Sequence, residues 1–211
     1  MFIVFLNYII YVKVRQLPDL GGCGCHDACN CLKHGVSALN PDLVGLWKAV
    51  FPCLEKASVK KSLHYQEVCK ELGLVFKHTP KYLEVRFRYS LLLARFFEEN
   101  NRALYTYFWE IAMKYQTTGL VPSDNETTVI KVFLGDHIQT VLCHKFITEA
   151  GDPFLRFIEI FESRKVRIHL LYPKLVLLMS QQLSFFIKTE GLDLLSPSQL
   201  LQIDPELLSF K

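Results

Sequence analysis

The chain has 211 residues, half of them apolar, and its 24 basic and 21 acidic residues leave a formal net charge of +3 and a pI near 8.4. It is long enough to bury a sizeable core, and 16 Phe and nine Tyr against ten Gly and nine Pro exclude a disordered or linker-rich chain. The basic excess falls short of the electrostatic footprint of a dedicated nucleic-acid binder, and no internal repeat is visible.

The opening run MFIVFLNYIIYVKV is apolar over residues 1–14, short of the roughly 20 residues that span a bilayer. Asn7 interrupts it, and it lacks both a basic start and a small-residue cleavage site. Its Phe, Ile, Val and Tyr content predicts a buried strand covered on both faces, with a weak membrane anchor as the alternative. Without an export signal, the seven cysteines (Cys23, Cys25, Cys29, Cys31, Cys53, Cys69 and Cys143) are expected to be thiols of a reducing compartment, nuclear or cytoplasmic.

RQLPDLGG then forms a turn at Pro18 and Gly21-Gly22. A short helix is expected from His26 to His34, closed by Gly35. Asn40 caps the next, with Pro41 in its first position and a core stripe of Leu43, Leu46, Trp47, Val50, Phe51 and Leu54; Pro52 ends or kinks it. A helix from Ser58 to Leu72 carries Val59, Leu63, Val68 and Leu72 and closes at Gly73. Pro80 makes the stretch after it extended or irregular. Helices resume near Ser90 and again near Asn101, the second rich in aromatics (Tyr105, Tyr107, Phe108, Trp109, Tyr115). The loop QTTGLVPSD is a candidate boundary, and Ser123 with Glu126 reads as a capping box opening a long helix through Val129, Phe133, Ile138, Leu142 and Phe146. Asp152-Pro153 starts another, and a last helix runs from about residue 167 to 188, with Pro173 as a kink or first turn. The expected fold class is mainly α: one N-terminal strand followed by a multi-helix bundle, in segments 1–39, 40–121 and 122–211.

The segment GCGCHDACNCLKHG places four cysteines and two histidines within twelve positions. On a helix Cys25 and Cys29 lie one turn apart, as do His26 and Asn30, so the two cysteine pairs point in different directions. A structural zinc site needs four converging ligands, usually from two knuckles well separated in sequence, and no second knuckle partners this one. Buried thiols with a hydrogen-bonded histidine fit the spacing best; zinc on Cys23, Cys25, Cys29 and Cys31, or a disulfide, are the alternatives. His26, directly after a strand, suits an architectural role in fixing that junction.

Lys77, Lys81, Arg86 and Arg88 gather with His78, with Lys56, Lys60 and Lys61 upstream. A solvated face is the plainer reading and a phosphate-contacting patch the alternative. No phosphate-binding loop, nucleophile elbow or His-Glu-x-x-His motif occurs. His64, His78, His137, His144 and His169 lack ligand partners at recognisable spacing, and His137, Cys143 and His144 read as core or surface residues.

The Cys/His segment resembles the corresponding helix of the hAT superfamily of transposases and the host proteins derived from them. The family pattern, close to Cys-x-Cys-His-x-x-x-Asn-x-x-x-His, is matched by Cys23, Cys25, His26, Asn30 and His34, with Lys33 and Gly35 in the same style. KYLEVRFRYSLL is similar to the stretch that carries an Arg-Trp pair in the family, and RKVRIHLLYPKLVLLMSQQLSFF resembles a helix of its inserted all-helical domain. The resemblance covers about residues 10 to 190. It implies a ribonuclease-H-like core ending within residues 1–39, a helical segment at 40–121 and an insertion-like segment at 122–211.

Such transposases cut DNA with two metal ions held by three carboxylates. The resemblance places the first two on strands ahead of the Cys/His helix, before this sequence starts, and the third after the insertion. Asp19, the nearby carboxylate, sits in the turn. At the Arg-Trp position stand Arg86 and Phe87, which keep a ring but lack the indole N–H. The implied protein is a catalytically inactive transposase-derived fragment, without cofactor or membrane attachment, acting as a helical interaction module toward itself or a related transposase-like chain. The alternatives are a residual nucleic-acid binder using Lys77, Lys81, Arg86, Phe87 and Arg88, and a small zinc protein built on the cysteine cluster.

Overall fold

A computed structural model describes residues 34–56, 58–83, 87–161 and 170–184, and these are mainly helical, with no strand among the described residues. The expected strand at 1–14, the turn after it and the Cys/His segment up to residue 33 lie outside the described residues. The named helices are α1 (Leu43–Leu54), α2 (Val59–Glu71), α3 (Phe87–Thr118), α4 (Asp124–Val129), α5 (His137–Phe161) and α6 (Leu171–Ser184), with a π-helical turn at Ile130–Leu134 between α4 and α5. Residues 34–39 are also helical. The chain divides into two units, residues 40–148 and residues 1–39 with 149–211.

In the unit 40–148, α1 starts at Leu43 with Asp42 at its N-cap, two residues later than the expected Asn40 cap; the Asn40 side-chain oxygen accepts the Asp42 N–H at 2.9 Å and closes the turn that leads into the helix. Leu43, Leu46, Trp47, Val50 and Leu54 are buried as one stripe of α1, joined by Ala49 and Cys53, while Phe51 is half-buried. Pro52 does not end the helix, which runs two residues past it; in the last turn the missing N–H removes a single bond. α2 stops at Gly73, whose φ of 68° puts it in the left-handed region. The Gly73 N–H donates to Lys70 and the Leu74 N–H to Cys69, a paired closure that needs glycine at this position. Its core face differs from the expected one: Tyr65, Val68 and Cys69 are buried, whereas Val59 and Leu63 are 76% and 51% exposed. The Tyr65 ring meets Tyr107 of α3 at 5.3 Å and Phe76 of the irregular segment 74–83 at 5.9 Å, and this contact sets which side of α2 turns inward.

α3 is one helix of 32 residues where two were expected. Asn100, at the expected break, is buried and donates its amide to the Phe96 carbonyl one turn back at 2.9 Å, so its polar end is satisfied without a chain interruption. The capping box forms as read: the Ser123 hydroxyl accepts the Glu126 N–H, and the Glu126 carboxylate accepts the Ser123 N–H. The helix it opens is not continuous, however. After six residues it widens into the π turn, where the Gly135 N–H reaches back to the Ile130 carbonyl at 3.2 Å. The buried Thr140 hydroxyl donates to the Val132 carbonyl at 3.1 Å and so satisfies a carbonyl of the widened turn.

In the other unit, residues 34–39 carry Gly35 buried inside a helix rather than at its end. α5 passes through Asp152-Pro153, where a new helix was expected. Gln182 of α6 donates to the Ala150 carbonyl at 2.8 Å, one turn before the residues that follow Pro153, and Phe154, Phe157, Ile158 and Leu178 are buried residues of the same two helices. Pro173 is the third residue of α6, where no helical N–H bond is lost.

Gly135 is a sharp test of the π turn. A Cβ there would collide with the Lys131 carbonyl oxygen, which is backbone and cannot give way cheaply. Gly135→Ala is therefore expected to lower unfolding free energy by about 2 kcal/mol or more, read as a drop in the urea midpoint.

Candidate functional site

Three groups of residues in the unit 40–148 carry its chemistry. At the centre, the Trp47 indole N–H donates to His144 Nε2 at 3.0 Å. An indole nitrogen only donates, so Nε2 holds a lone pair and the ring proton sits on Nδ1. The His144 ring stacks on Phe97 at 4.4 Å and within 6° of parallel. Burial holds its pKa down at about 3, against the opposing pull of the Thr140 carbonyl one turn back, which does not reach Nδ1 in regular hydrogen-bond geometry. The ring is thus a neutral core acceptor at physiological pH.

The second group surrounds Glu126, whose side chain is 4% exposed. One carboxylate oxygen accepts from Lys61 of α2 at 2.5 Å, and the other accepts from the Tyr115 hydroxyl at 2.9 Å, the Ser123 hydroxyl at 2.7 Å and the Ser123 N–H at 3.0 Å. Burial pushes the carboxyl pKa upward, but the bonds from Lys61, Ser123 and Tyr115 outweigh it and bring the group to about 2. The same contact raises Lys61, and burial followed by the carboxylate raises Tyr115. The cluster ties α2, the end of α3 and the start of α4 together. Buried and bonded at both oxygens, the Glu126 carboxylate serves as a structural acceptor.

The third group faces solvent. Tyr105, Trp109 and Met113 recur every four residues of α3 and share one face, with Trp109 50% exposed. The Tyr105 and Trp109 rings lie within 10° of parallel at 6.1 Å. Beneath them the π turn delivers His137, whose ring is 4.5 Å from Tyr105 and 5.0 Å from Phe133. Burial lowers the His137 pKa, with the Phe133 carbonyl opposing, so this ring packs as a neutral partner. Ile138 and Leu142 of α5, one turn apart, are also exposed. Neighbouring residues of α3 turn the other way, for Tyr107 and Phe108 are fully buried.

The residues singled out from sequence fall as follows. Cys23, Cys25, His26, Cys29, Asn30 and Cys31 lie outside the described residues, and His34 is an exposed residue of the helical stretch 34–39. Lys77 is exposed but pairs with Glu99 of α3 at 2.7 Å, and the neighbouring His78 lies 3.1 Å from Glu55. Lys81 and Arg88 are exposed, Arg86 lies outside the described residues, and Phe87 begins α3. The structure therefore places acids beside two members of the basic group. Cys53, Cys69 and Cys143 are buried free thiols; burial raises all three, Cys53 to about 12 with help from the Glu126 charge. Such thiols are poor nucleophiles. Among the described residues no group of three or more His, Cys, Asp or Glu is placed to hold a metal ion, and no helix is long and apolar enough to cross a membrane.

Comparison with known proteins finds no matching family model, no similar curated protein and no similar solved structure.

Two measurements check this geometry. His144 titrates near 6.5 when unfolded and at about 3 when folded, so below pH 6.5 the unfolded chain binds a proton that the native core refuses. Stability should fall as pH drops, by about 2 kcal/mol between pH 7 and pH 5 in urea unfolding, and most of that slope should vanish in His144→Phe. Glu126→Gln keeps a capping-box side chain but removes the charge facing Lys61. Because Lys61 is 43% exposed and can turn to water, the expected loss is modest, about 1–2 kcal/mol, read as a shifted urea midpoint at pH 7.

Proposed function

We propose that the chain is a transposase-derived protein without catalytic activity that works as a helical interaction module. The observation that carries the reading is the Tyr105, Trp109 and Met113 stripe. Aromatic and methionine side chains in contiguous exposed rows are characteristic of contact surfaces, and tryptophan and tyrosine dominate binding energy where they are desolvated by a partner. The stripe stands on α3, and the buried Trp47, Phe97 and His144 group and the Glu126 cluster fasten that helix to α1, α2, α4 and α5. A face held this rigidly loses little entropy on binding. The transposase ancestry rests on the order of the Cys/His, Arg86-Phe87 and C-terminal helical motifs.

The nucleic-acid reading keeps one point in its favour, the exposed Lys81 and Arg88. It is the weaker reading, because Glu99 and Glu55 already engage Lys77 and His78. Phosphate contacts make affinity fall steeply with salt, so a binding titration at two salt concentrations tests it directly.

The immobilised chain is expected to retain a protein partner that Trp109→Glu fails to retain at unchanged melting temperature. The wild-type chain should also leave supercoiled DNA intact in the presence of Mn²⁺. Equal retention by both forms, or metal-dependent nicking, contradicts the proposal.

A further inference from the structure

We propose that the Leu120–Val121 bond is a processing site for an endopeptidase with an apolar specificity pocket, and that the two pieces stay assembled after the cut. This goes beyond the contact-surface reading and does not depend on it.

α3 ends at Thr118, and Gly119 turns away from it with a φ of 69°. The Thr117 and Thr118 hydroxyls donate to the Lys114 carbonyl at 3.0 and 2.7 Å, and the Gly119 N–H donates to the Tyr115 carbonyl, so the helix is finished before the loop begins. Residues 119–123 have no regular structure. Leu120 is 59% exposed and Val121 88%, the largest exposure of any bulky apolar side chain among the described residues. Pro122 biases Val121 toward extended backbone, the conformation in which a peptidase cleft pairs with its substrate.

Chemistry selects one bond of this loop. A pocket that reads the residue on the acyl side finds no side chain at Gly119. The bond after Val121 leads into Pro122, which has no N–H and carries a ring on its nitrogen, so an ordinary endopeptidase rejects it. The bond between them has an exposed apolar residue on its acyl side and a secondary amide on the other. Hydrolysis adds one water across it: the C–N bond breaks, the Leu120 carbonyl becomes a carboxylate, and the Val121 nitrogen takes a proton and becomes an ammonium.

The assembly beneath the loop does not pass through that bond. One Glu126 oxygen accepts from Tyr115 at 2.9 Å on the α3 side, and from the Ser123 hydroxyl and N–H at 2.7 and 3.0 Å on the α4 side. Lys61 holds the other oxygen, and Trp47 and Phe97 meet His144, so residues before the cut are joined to residues after it at three places. Cutting therefore removes a covalent link and leaves the packing. From then on the fold is an association of two chains, whose stability depends on concentration.

The test treats the full chain, under reducing conditions, with a trace of chymotrypsin and follows the cuts by intact mass spectrometry. Tyr105 and Trp109 suit that enzyme better than leucine, but they stand inside α3 and are not extended. Between residues 87 and 161 the bond after Leu120 should break about tenfold or more faster than any other. Pieces 1–120 and 121–211 should co-elute on gel filtration, and the urea midpoint of the cut form should rise with protein concentration while that of the intact chain does not. Leu120→Lys should transfer the cut to trypsin at the same bond, and Val121→Pro should abolish it, both at an unchanged melting temperature. A first cut elsewhere between 87 and 161, a chain left whole over that range, or cleavage that ignores either substitution overturns the processing site. Pieces that separate on gel filtration overturn the assembled product.

Discussion

A tryptophan N–H can only donate, so burying Trp47 obliges the fold to bring a lone pair to it, and that lone pair comes from His144, 97 residues further along. The obligation is reciprocal, because His144 is held neutral by burial and its Nε2 would otherwise face an apolar interior. Phe97 of α3 stacks on the same imidazole, so α1, α3 and α5 are joined through one ring. Phe133 of the π turn then packs on Phe97 at 5.4 Å and passes the constraint to the next element. The remaining contacts of the unit adjust around this joint.

The π turn shows how local geometry is spent to satisfy it. A regular helix from Asp124 onward would carry every later residue around the axis by a different amount. The inserted turn, allowed by Gly135 and completed by Thr140, resets the phase so that α5 begins with His137 beneath Tyr105 and one turn further buries Thr140. The same reset leaves Ile138 and Leu142 outside. Core and surface are therefore set by a single irregularity, and the exposed stripe follows from the packing of the residues beneath it.

Features with local signals were legible in the sequence: the Ser123 and Glu126 capping box and the Gly73 stop each depend on residues within one turn, and Asn40 marks the approach to α1 although the helix itself is capped at Asp42. Features that depend on distant partners were not. Asn100 and Asn101 look like a helix boundary until the core closes over Asn100, and Val59 and Leu63 look like a core face until Tyr65 finds Tyr107. The aromatic wealth of α3 was visible, but not its division into buried Tyr107 and Phe108 and exposed Tyr105 and Trp109, which depends on where α2 and α5 lie. Glu126 was recognised as a capping residue and Lys61 as a surface cation; nothing in a separation of 65 residues signals that they meet. The basic group near Lys77 was legible as charge, whereas the acids that answer it come from other helices.

The chain has two tryptophans, and they occupy opposite surroundings. Trp47 is sealed in the core against a neutral imidazole and a tyrosine ring, while Trp109 lies half in water beside Tyr105. The molecule thus carries two intrinsic optical reporters. A soluble quencher should reach one indole and leave the other shielded, so emission from the shielded ring follows the integrity of the interior and emission from the accessible ring follows whatever settles on the surface.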